Sequence, residues 1–295
     1  MRPTTQLRQL LARPGAIVAP GVADALNARL VAQHGFDAVY MTGAGTTATR
    51  LGMPDVGLLT MTEMVDNAAR IADASGLPTI SDADTGYGGV LNVRRTIQSY
   101  ERAGVAAVHL EDQVMPKRCG HLAGKQLVPA EEMVAKLKAA TDARVDADFV
   151  IIARTDAIAV EGFEAALERA QRYREAGADI LFVEAPSEAQ LPEIAPRLKG
   201  APLLYNLASS GKTPFLGQAE IERLGFKLII YPNWVILAQI RAASHVLKTL
   251  KETGSIASLT NEVASFREFF DLMGMPEVQA LEARYGVAEE GRAKY

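Results

Sequence analysis

The sequence is short of the residues that build cross-linked folds and thiolate metal clusters. Its 295 residues include one cysteine and four histidines, which excludes an internal disulfide and any zinc cluster built from cysteines alone. It also lacks long apolar runs, and 31 basic against 35 acidic side chains leave a net charge of −4. We therefore expect no nucleic-acid or membrane partner. We also expect a cytoplasmic protein with neither a transmembrane span nor a signal peptide.

A phrase that recurs along the chain indicates the fold. A helical stretch is followed by a glycine, two or three variable residues and a β-branched apolar run, with Gly35, Gly104, Gly177 and Gly225 as the glycines. Glycine just past a helix adopts the left-handed conformation at little steric cost, and the apolar run is typical of a buried strand. Each phrase therefore predicts a helix that leads into a strand.

Four further apolar runs bring the predicted strands to eight, and they cover residues 16–22, 78–84, 149–155 and 202–206. Eight strand and helix units predict a (β/α)8 TIM barrel, with a doubly wound open sheet as the rival. We expect a catalytic barrel over residues 1–254. Residues 255–295 are predicted to form extra C-terminal helices of the same domain.

Acidic residues stand at the ends of predicted strands, where barrel enzymes gather their chemistry. Asp82 and Asp84 end one strand, two residues apart and so on the same face, and Glu111 ends the next. Buried acids are costly unless a cation accompanies them, and oxygen ligands alone suit Mg²⁺ or Mn²⁺ better than Zn²⁺. The alternative is a pair of solvated loop acids or a helix cap, because residues 85–89 form a loop.

The single cysteine lies in a charged loop, residues 117–121, with the sequence Lys-Arg-Cys-Gly-His. Neighbouring cations predict a pKa for Cys119 below the usual value of roughly 8.5, which brings proton exchange closer to neutrality. A Cys119 nucleophile with His121 as its base is the alternative. Zinc ligation by these two residues lacks a second pair of ligands.

Residues 43–48, Gly-Ala-Gly-Thr-Thr-Ala, match the dinucleotide fingerprint G-x-G-x-x-A weakly. Gly52 and Pro54 are expected to interrupt any helix that would carry a pyrophosphate. We therefore predict a turn whose backbone N–H groups are available to a substrate carboxylate.

Four phrases together resemble the isocitrate lyase and phosphoenolpyruvate mutase superfamily. They are residues 81–88, 109–113, 117–121 and 153–157. The resemblance covers almost the whole chain, and the Lys-Arg-Cys-Gly-His phrase is similar to the lyase branch, whereas other branches generally lack the cysteine. The 2-methylisocitrate lyases are most similar, followed by 2,3-dimethylmalate lyases and oxaloacetate acetylhydrolases.

The resemblance implies a Mg²⁺ ion held by Asp82 and Asp84, with Asp55 and Glu111 acting through water. It implies that Cys119 protonates the departing carbanion and that Arg154 contacts the oxo-acid fragment. Tyr40 is placed near the reacting oxygen, and whether it or Lys117 shares the acid role stays open. The residues implied to bind substrate are Thr42, Gly43, Ala44, Arg118, Gly120, His121, Glu184, Asn206 and Thr213.

The expected function is a Mg²⁺-dependent carbon–carbon lyase. It would cleave a 2-hydroxy di- or tricarboxylate, such as 2-methylisocitrate or 2,3-dimethylmalate, and release pyruvate or a similar oxo acid. The sequence departs from the lyase pattern at Ser209, where an acid is common, and at Leu237, where an arginine is typical. A missing cation suits a substituted malate better than a tricarboxylate.

Two other functions stay open. One is an oxaloacetate hydrolase or decarboxylase of the same superfamily. The other, from a different class, is a non-catalytic barrel that binds a carboxylic acid. The resemblance also implies a homotetramer, a dimer of dimers that exchange a C-terminal helix.

Overall fold

A computed structural model describes residues 1–210 and 212–294 of the chain. Eight strands alternate with helices. The strands are β1 (Ile17–Val22), β2 (Val39–Met41), β3 (Thr79–Asp82), β4 (Ala107–Glu111), β5 (Val150–Thr155), β6 (Ile180–Val183), β7 (Leu204–Asn206) and β8 (Leu228–Tyr231). The helices are α1 (Pro3–Ala12), α2 (Ala25–Gln33), α3 (Gly43–Leu51), α4 (Met61–Ser75), α5 (Val90–Arg102), α6 (Ala130–Ala143), α7 (Phe163–Glu175), α8 (Leu191–Arg197), α9 (Gln218–Arg223), α10 (Trp234–Thr253), α11 (Phe266–Leu272) and α12 (Met275–Arg284).

The eight strands form one parallel sheet that closes on itself. Its order is β6-β5-β4-β3-β2-β1-β8-β7, and a parallel bridge between Leu181 and Leu203 joins the two ends. The predicted TIM barrel is confirmed, and the open doubly wound sheet is wrong. The four repeated glycines are confirmed as left-handed, with φ values of 74° at Gly35, 79° at Gly104, 104° at Gly177 and 90° at Gly225.

Apolar side chains fill the barrel and cover its outside. One buried cluster lies within the barrel and includes Ile80, Ile152 and Ile230. It also includes Leu7 and Leu10 of α1, so this helix covers the end where the strands begin. A larger cluster packs the sheet against the surrounding helices. With the amino end covered, the polar strand ends at the opposite rim are the face left for chemistry.

The chain divides into two compact units, one from Met1 to Ile236 and the other from Leu237 onward. The predicted boundary, after residue 254, lies further along the chain, within the second unit. The first unit contains all eight strands. None of the described helices is long and apolar enough to cross a bilayer.

Barrel closure depends on a glycine at the end of β1. A Cβ atom on Gly21 would lie 2.2 Å from the carbonyl oxygen of Pro232, which follows β8. We expect Gly21→Ala to lower the free energy of unfolding by about 2–3 kcal/mol, the upper part of the overpacking range, because backbone atoms cannot rotate away. Urea unfolding measures this. Gly217→Ala is the matched control, since its Cβ would meet no atom of the described residues within 4 Å; equal midpoints for the two variants would contradict the prediction.

Candidate active site

The carboxyl ends of the strands and the loop after β4 enclose a polar pocket. Most predicted site residues line it, namely Tyr40, Thr42, Ala44, Asp55, Asp82, Glu111, Lys117, Cys119, Gly120, His121, Arg154, Glu184 and Asn206. Five further lining residues were not predicted, namely Phe182, Ala208, Ile230, Pro232 and Asn233. The cavity measures about 40 Å³, which is room for one or two water molecules.

Two aspartates, separated by one residue, stand near the end of β3, but only the first belongs to the strand. β3 ends at Asp82, and Asp84 lies beyond it with a left-handed φ of 47°. The prediction that both stand on one strand is therefore wrong. The backbone N–H of Asp84 instead donates to Oδ1 of Asp82 at 2.9 Å, so a tight turn places the backbone of Asp84 against the carboxylate of Asp82.

The pKa values of these buried acids differ with their surroundings. Burial alone would raise the pKa of Asp82, but His109, Lys117 and Arg154 together outweigh it and lower that pKa. Burial raises the pKa of Asp84 to about 6, against the opposing charge of Lys117. Burial also raises the pKa of Glu111 well above its usual value. Burial therefore makes Asp84 and Glu111 easier to protonate than Asp82, whose charge the neighbouring cations stabilise.

Lys117 supplies much of the compensating charge. Its Nζ lies 2.6 Å from Oδ1 of Asp55 and 2.7 Å from Oδ1 of Asp84. Burial alone would lower the pKa of Lys117, but Asp84 and the other acids outweigh it and raise that pKa well above its usual value. Within residues 1–210 and 212–294, no three His, Cys, Asp or Glu side chains have the arrangement of a metal site. In this conformation an ammonium group stands among the acids predicted to hold the metal.

The donor set nonetheless fits a hard divalent cation. The candidate ligands offer only carboxylate oxygens, the preferred donors for Mg²⁺ and Mn²⁺. Oε1 of Glu111 is buried and has no hydrogen-bond partner among the described residues. A buried carboxylate oxygen without a donor is costly, and a cation or its bound water would satisfy it.

Arg154 is the charge at the centre of the pocket. Its guanidinium donates to both oxygens of Asp156, at 2.9 and 3.1 Å, and approaches Glu111 at 3.3 Å and Glu184 at 3.6 Å. It also lies over the ring of Phe182, 5.1 Å from the centroid. The two-point contact with Asp156 fixes the plane of the guanidinium. Arg154 is therefore preorganised to receive a carboxylate.

The surroundings of Cys119 favour the protonated thiol near pH 7. Burial raises its pKa, which contradicts the predicted lowering by neighbouring cations. The two cations beside Cys119 in the sequence do not lower its pKa as expected. Lys117 faces Asp55 and Asp84, and the side chain of Arg118 is exposed to solvent. His121 is engaged as well: Nε2 lies 2.8 Å from Glu184, and Nδ1 pairs with the hydroxyl of Ser210. A protonated thiol is suited to donate a proton, and His121 is not placed as its base.

A buried histidine that the sequence did not single out supports Tyr40. The Tyr40 hydroxyl lies 2.8 Å from Nε2 of His109, and the two rings stack with centroids 5.8 Å apart. Burial raises the pKa of Tyr40 well above its usual value and lowers the pKa of His109 to about 4. Both groups are therefore neutral near pH 7. His109 stands two residues before Glu111 on β4, and this inward-facing spacing was the available signal.

The glycine-rich phrase after β2 is the start of a helix, so the prediction of a turn is wrong. α3 runs from Gly43 to Leu51, with the Thr42 side chain as its N-cap, and it ends at the left-handed Gly52. Gly52, one of the two residues expected to interrupt a helix, marks the end of α3. Thr42 also donates to Oδ1 of Asn233 at 2.9 Å. The free N–H groups of the first helical turn can still bind a carboxylate.

Four predicted residues do not line the pocket, namely Gly43, Asp84, Arg118 and Thr213. Gly43 begins α3, and Asp84 contacts Lys117 from outside the pocket. Arg118 has an exposed side chain. Thr213 is fully buried, and its hydroxyl has no hydrogen-bond partner among the described residues.

Comparison with known proteins identifies the family. The phosphoenolpyruvate phosphomutase family matches residues 7–251. The chain belongs to the PEP mutase and isocitrate lyase family. Its resemblance to that superfamily, inferred from four short phrases, is thereby confirmed.

Curated members of the PEP mutase and isocitrate lyase family cover nearly all of the chain. A 2,3-dimethylmalate lyase of Eubacterium barkeri is 48% identical over 97% of this chain and 99% of its own length. A 2-methylisocitrate lyase of Aeropyrum pernix is 44% identical over 100% of this chain and 95% of its own length. The chain is therefore an enzyme of this family, and these relatives are lyases.

Solved structures of the same family agree. A 2,3-dimethylmalate lyase has a TM-score of 0.94 at 40% identity, covering 100% of this chain and 99% of that one. An oxaloacetate acetylhydrolase in complex with 3,3-difluorooxalacetate has a TM-score of 0.91 at 38% identity with the same coverage. A phosphonopyruvate hydrolase in complex with oxalate and Mg²⁺ has a TM-score of 0.88 at 32% identity, covering 97% and 99%.

Proposed function

We propose that the protein is a Mg²⁺-dependent carbon–carbon lyase that cleaves a substituted malate, with 2,3-dimethylmalate as the reference substrate, to pyruvate and a second carboxylate. One observation carries this proposal. A fixed guanidinium, Arg154, and a protonated thiol, Cys119, line the same pocket as the acids Asp82 and Glu111. The first can bind the oxo-acid carboxylate, the second can donate a proton, and the acids can hold the metal.

Asp82 and Asp84 would hold Mg²⁺, with Asp55 and Glu111 acting through water. Mn²⁺ has the same ligand preference. When bound, the ion supplies a positive charge that lowers the energy of the departing anion. The solved phosphonopyruvate hydrolase with Mg²⁺ and oxalate supports this assignment by similarity.

Cleavage breaks the bond between C2 and C3 of the substrate. The C2 hydroxyl loses its proton and becomes the carbonyl of pyruvate, while the bonding electron pair passes to C3. The Cys119 thiol gives its proton to C3. The hydroxyl proton passes to solvent, and the Cys119 thiolate takes up a proton from solvent, so the protons balance over the full cycle. Arg154 binds the carboxylate on C2 and stabilises the charge that develops during cleavage.

Tyr40 and Lys117 have supporting roles in this proposal. Tyr40 keeps its proton, so it acts as a hydrogen-bond donor near the reacting oxygen and not as a base. The ammonium group of Lys117 is held between Asp55 and Asp84, at 2.6 and 2.7 Å. Its role is to balance the charge of Asp55 and Asp84. The acid role falls to Cys119.

The charge and shape of the pocket favour a dicarboxylate. The permanently charged cations among its lining residues are Lys117 and Arg154, and Lys117 is paired with Asp55 and Asp84. Glu184 accepts from Asn206 at 3.2 Å and lies 2.8 Å from Nε2 of His121, and the side chains of Asn206 and His121 would contact the second carboxylate. The apolar lining residues Phe182, Ala208 and Ile230 suit alkyl substituents. An additional carboxylate would add charge with no cation to meet it.

The deciding experiment is an assay for oxo acid released from 2,3-dimethylmalate and from 2-methylisocitrate, with and without EDTA. We expect Mg²⁺-dependent release and a higher kcat/KM for 2,3-dimethylmalate. Added Mg²⁺ should restore the EDTA-treated enzyme. The lyase proposal fails if neither compound yields an oxo acid.

A second candidate function is hydrolysis of oxaloacetate. It is favoured by the similarity to the solved oxaloacetate acetylhydrolase. Acetate formed from oxaloacetate would identify a hydrolase, and bicarbonate a decarboxylase. Cys119→Ala should matter little to a decarboxylase, because the pyruvate enolate left by loss of CO2 can take its proton at C3 from solvent.

We also propose a homotetramer, a dimer of dimers that exchanges C-terminal helices. α10, α11 and α12 have no buried side chain, and exposed apolar residues include Ile240, Leu247, Phe266 and Phe269. Such a surface is typical of a protein–protein interface. Sedimentation should give about four times the chain mass of 31.6 kDa. A monomer at micromolar concentration would contradict this assembly.

A further inference from the structure

The loop that carries Cys119 is held to the barrel rim by contacts along its length. Its base is closed by an antiparallel bridge between Gln113 and Leu127. The Gln113 side chain accepts from the backbone N–H of Arg118 at 3.0 Å and donates to its carbonyl at 2.9 Å. The backbone N–H of Cys119 donates to the carbonyl of Asp55 at 3.2 Å. These contacts fix the loop on the side that precedes the cysteine.

On the other side of Cys119, the loop is held by a buried lysine. The Lys125 side chain is 2% exposed. Its ammonium donates to the carbonyl oxygen of Gly120, the residue after Cys119, and to Oδ1 of Asp156 at 2.9 Å. One buried cation therefore joins the cysteine segment to the rim of the barrel.

Asp156 is itself fixed from two directions. Its backbone N–H donates to Oδ1 of the buried Asp112 at 3.0 Å, and its carboxylate accepts both hydrogen bonds from Arg154. Lys125 therefore contacts the same carboxylate that orients Arg154. The groups proposed to donate the proton and to bind the oxo-acid carboxylate are linked through Lys125 and Asp156.

Gly120 packs so closely against the barrel rim that a side chain at this position has no room. A Cβ atom on Gly120 would lie 2.2 Å from Nη2 of Arg154 and 2.9 Å from Cδ of Glu184. The backbone beside Cys119 thus rests directly on the guanidinium and carboxylate of the pocket. Loss of the donor to its carbonyl would leave a buried acceptor unpaired, which favours movement of the segment away from the rim.

We propose that Lys125 is a positioning residue: it holds the Cys119 segment against the barrel rim and sets the thiol relative to Arg154. Lys125 does not line the pocket, so it acts through Gly120 and Asp156 and does not contact substrate. The catalytic part of this inference rests on the proposed lyase function. The part that concerns the position of the Cys119 segment does not depend on that function.

The test uses the single cysteine of the full-length protein as a reporter. The rate of Cys119 alkylation by iodoacetamide is measured in the wild type and in Lys125→Met. We expect alkylation to be at least tenfold faster in the variant, because the segment no longer rests on the rim. If Lys125→Met does not fold, Lys125→Gln takes its place, with a rise of at least threefold. A rate within twofold of the wild type in the folded variant would overturn the proposal.

Lys136→Met is the matched control, because Lys136 is also a buried lysine but pairs with Glu132 on α6, at 3.4 Å. We expect its alkylation rate to stay within twofold of the wild type. An equal rise in both variants would mean general loosening and would overturn the positioning role. Lys125→Arg keeps the charge and is expected to recover most of the protection.

Kinetics test the catalytic consequence. Lys125→Met should lower kcat on 2,3-dimethylmalate by ten- to a hundredfold while KM stays within threefold, since Arg154 keeps both bonds to Asp156. A rise in KM with unchanged kcat would overturn the coupling to Cys119. If the wild type cleaves neither test substrate, the proposed function fails, and the alkylation rates still decide whether Lys125 positions the segment.

Discussion

Replacing Cys119 with alanine is expected to lower kcat for the cleavage of 2,3-dimethylmalate by a hundredfold to ten-thousandfold, with KM within threefold. General acid catalysis contributes about 10²–10⁴ in rate, and burial keeps this thiol protonated. The variant can still bind substrate, because Arg154 and the acids of β3 and β4 are untouched. Steady-state kinetics and incorporation of solvent deuterium at C3 of the second product measure the effect.

The Cys119→Ser variant tests whether kcat depends on the acidity of the side chain and not only on its size. Serine keeps a donor of similar size but a much higher pKa, so we expect kcat between those of the wild type and the alanine variant. The melting temperatures of all three should agree closely. A kcat for Cys119→Ala within fivefold of the wild type would show that another group donates the proton.

Replacing Arg154 with glutamine is expected to lower kcat/KM by about a hundredfold to a thousandfold, the loss typical of removing a preorganised donor to a developing anion. The change also leaves Glu111, Asp156 and Glu184 without their shared cation. A buried charge that loses its partner costs about 3–5 kcal/mol, so the variant should unfold at a lower urea concentration. Kinetics and urea unfolding are therefore measured together.

Arg169→Gln is the matched control for Arg154. Arg169 is a buried arginine that bonds Glu161 at 2.7 Å and approaches Asp112 at 3.3 Å, and it does not line the pocket. We expect it to lose stability but to keep kcat/KM within about threefold. Equal losses of kcat/KM in the two variants would mean that stability, and not carboxylate binding, explains the Arg154 effect.

The barrel could be predicted from the sequence because its signals are local. Each repeated glycine needs only its own helix end and the strand that follows, and Gly35, Gly104, Gly177 and Gly225 are all left-handed as expected. Strand limits differed by a residue or two, since the ends of buried strands carry no sequence break. The end of β3 shows this best, because Asp82 and Asp84 read as one strand until the backbone turns at Asp84.

The site could be predicted where its residues stand at strand ends or in the Lys-Arg-Cys-Gly-His phrase. The pKa values and the supporting contacts of the site could not be predicted, because they depend on residues that are distant in sequence. The pKa of Cys119 is raised chiefly by burial, while Lys117, two residues earlier in the chain, pairs with Asp55 and Asp84. His109 gave only its inward-facing position two residues before Glu111, and Lys125 gave no signal, because a lone lysine gains its role only from its neighbours in the fold.

Locating the metal tests the proposed site most directly. Crystals grown with Mn²⁺ and oxalate allow the cation to be found by anomalous scattering. We expect one peak per chain, in contact with Asp82 and Asp84, with oxalate between the cation and Arg154. A peak bound elsewhere, or no peak in crystals that contain oxalate in the pocket, would contradict the claim that carboxylates from these strand ends hold the divalent ion used for cleavage.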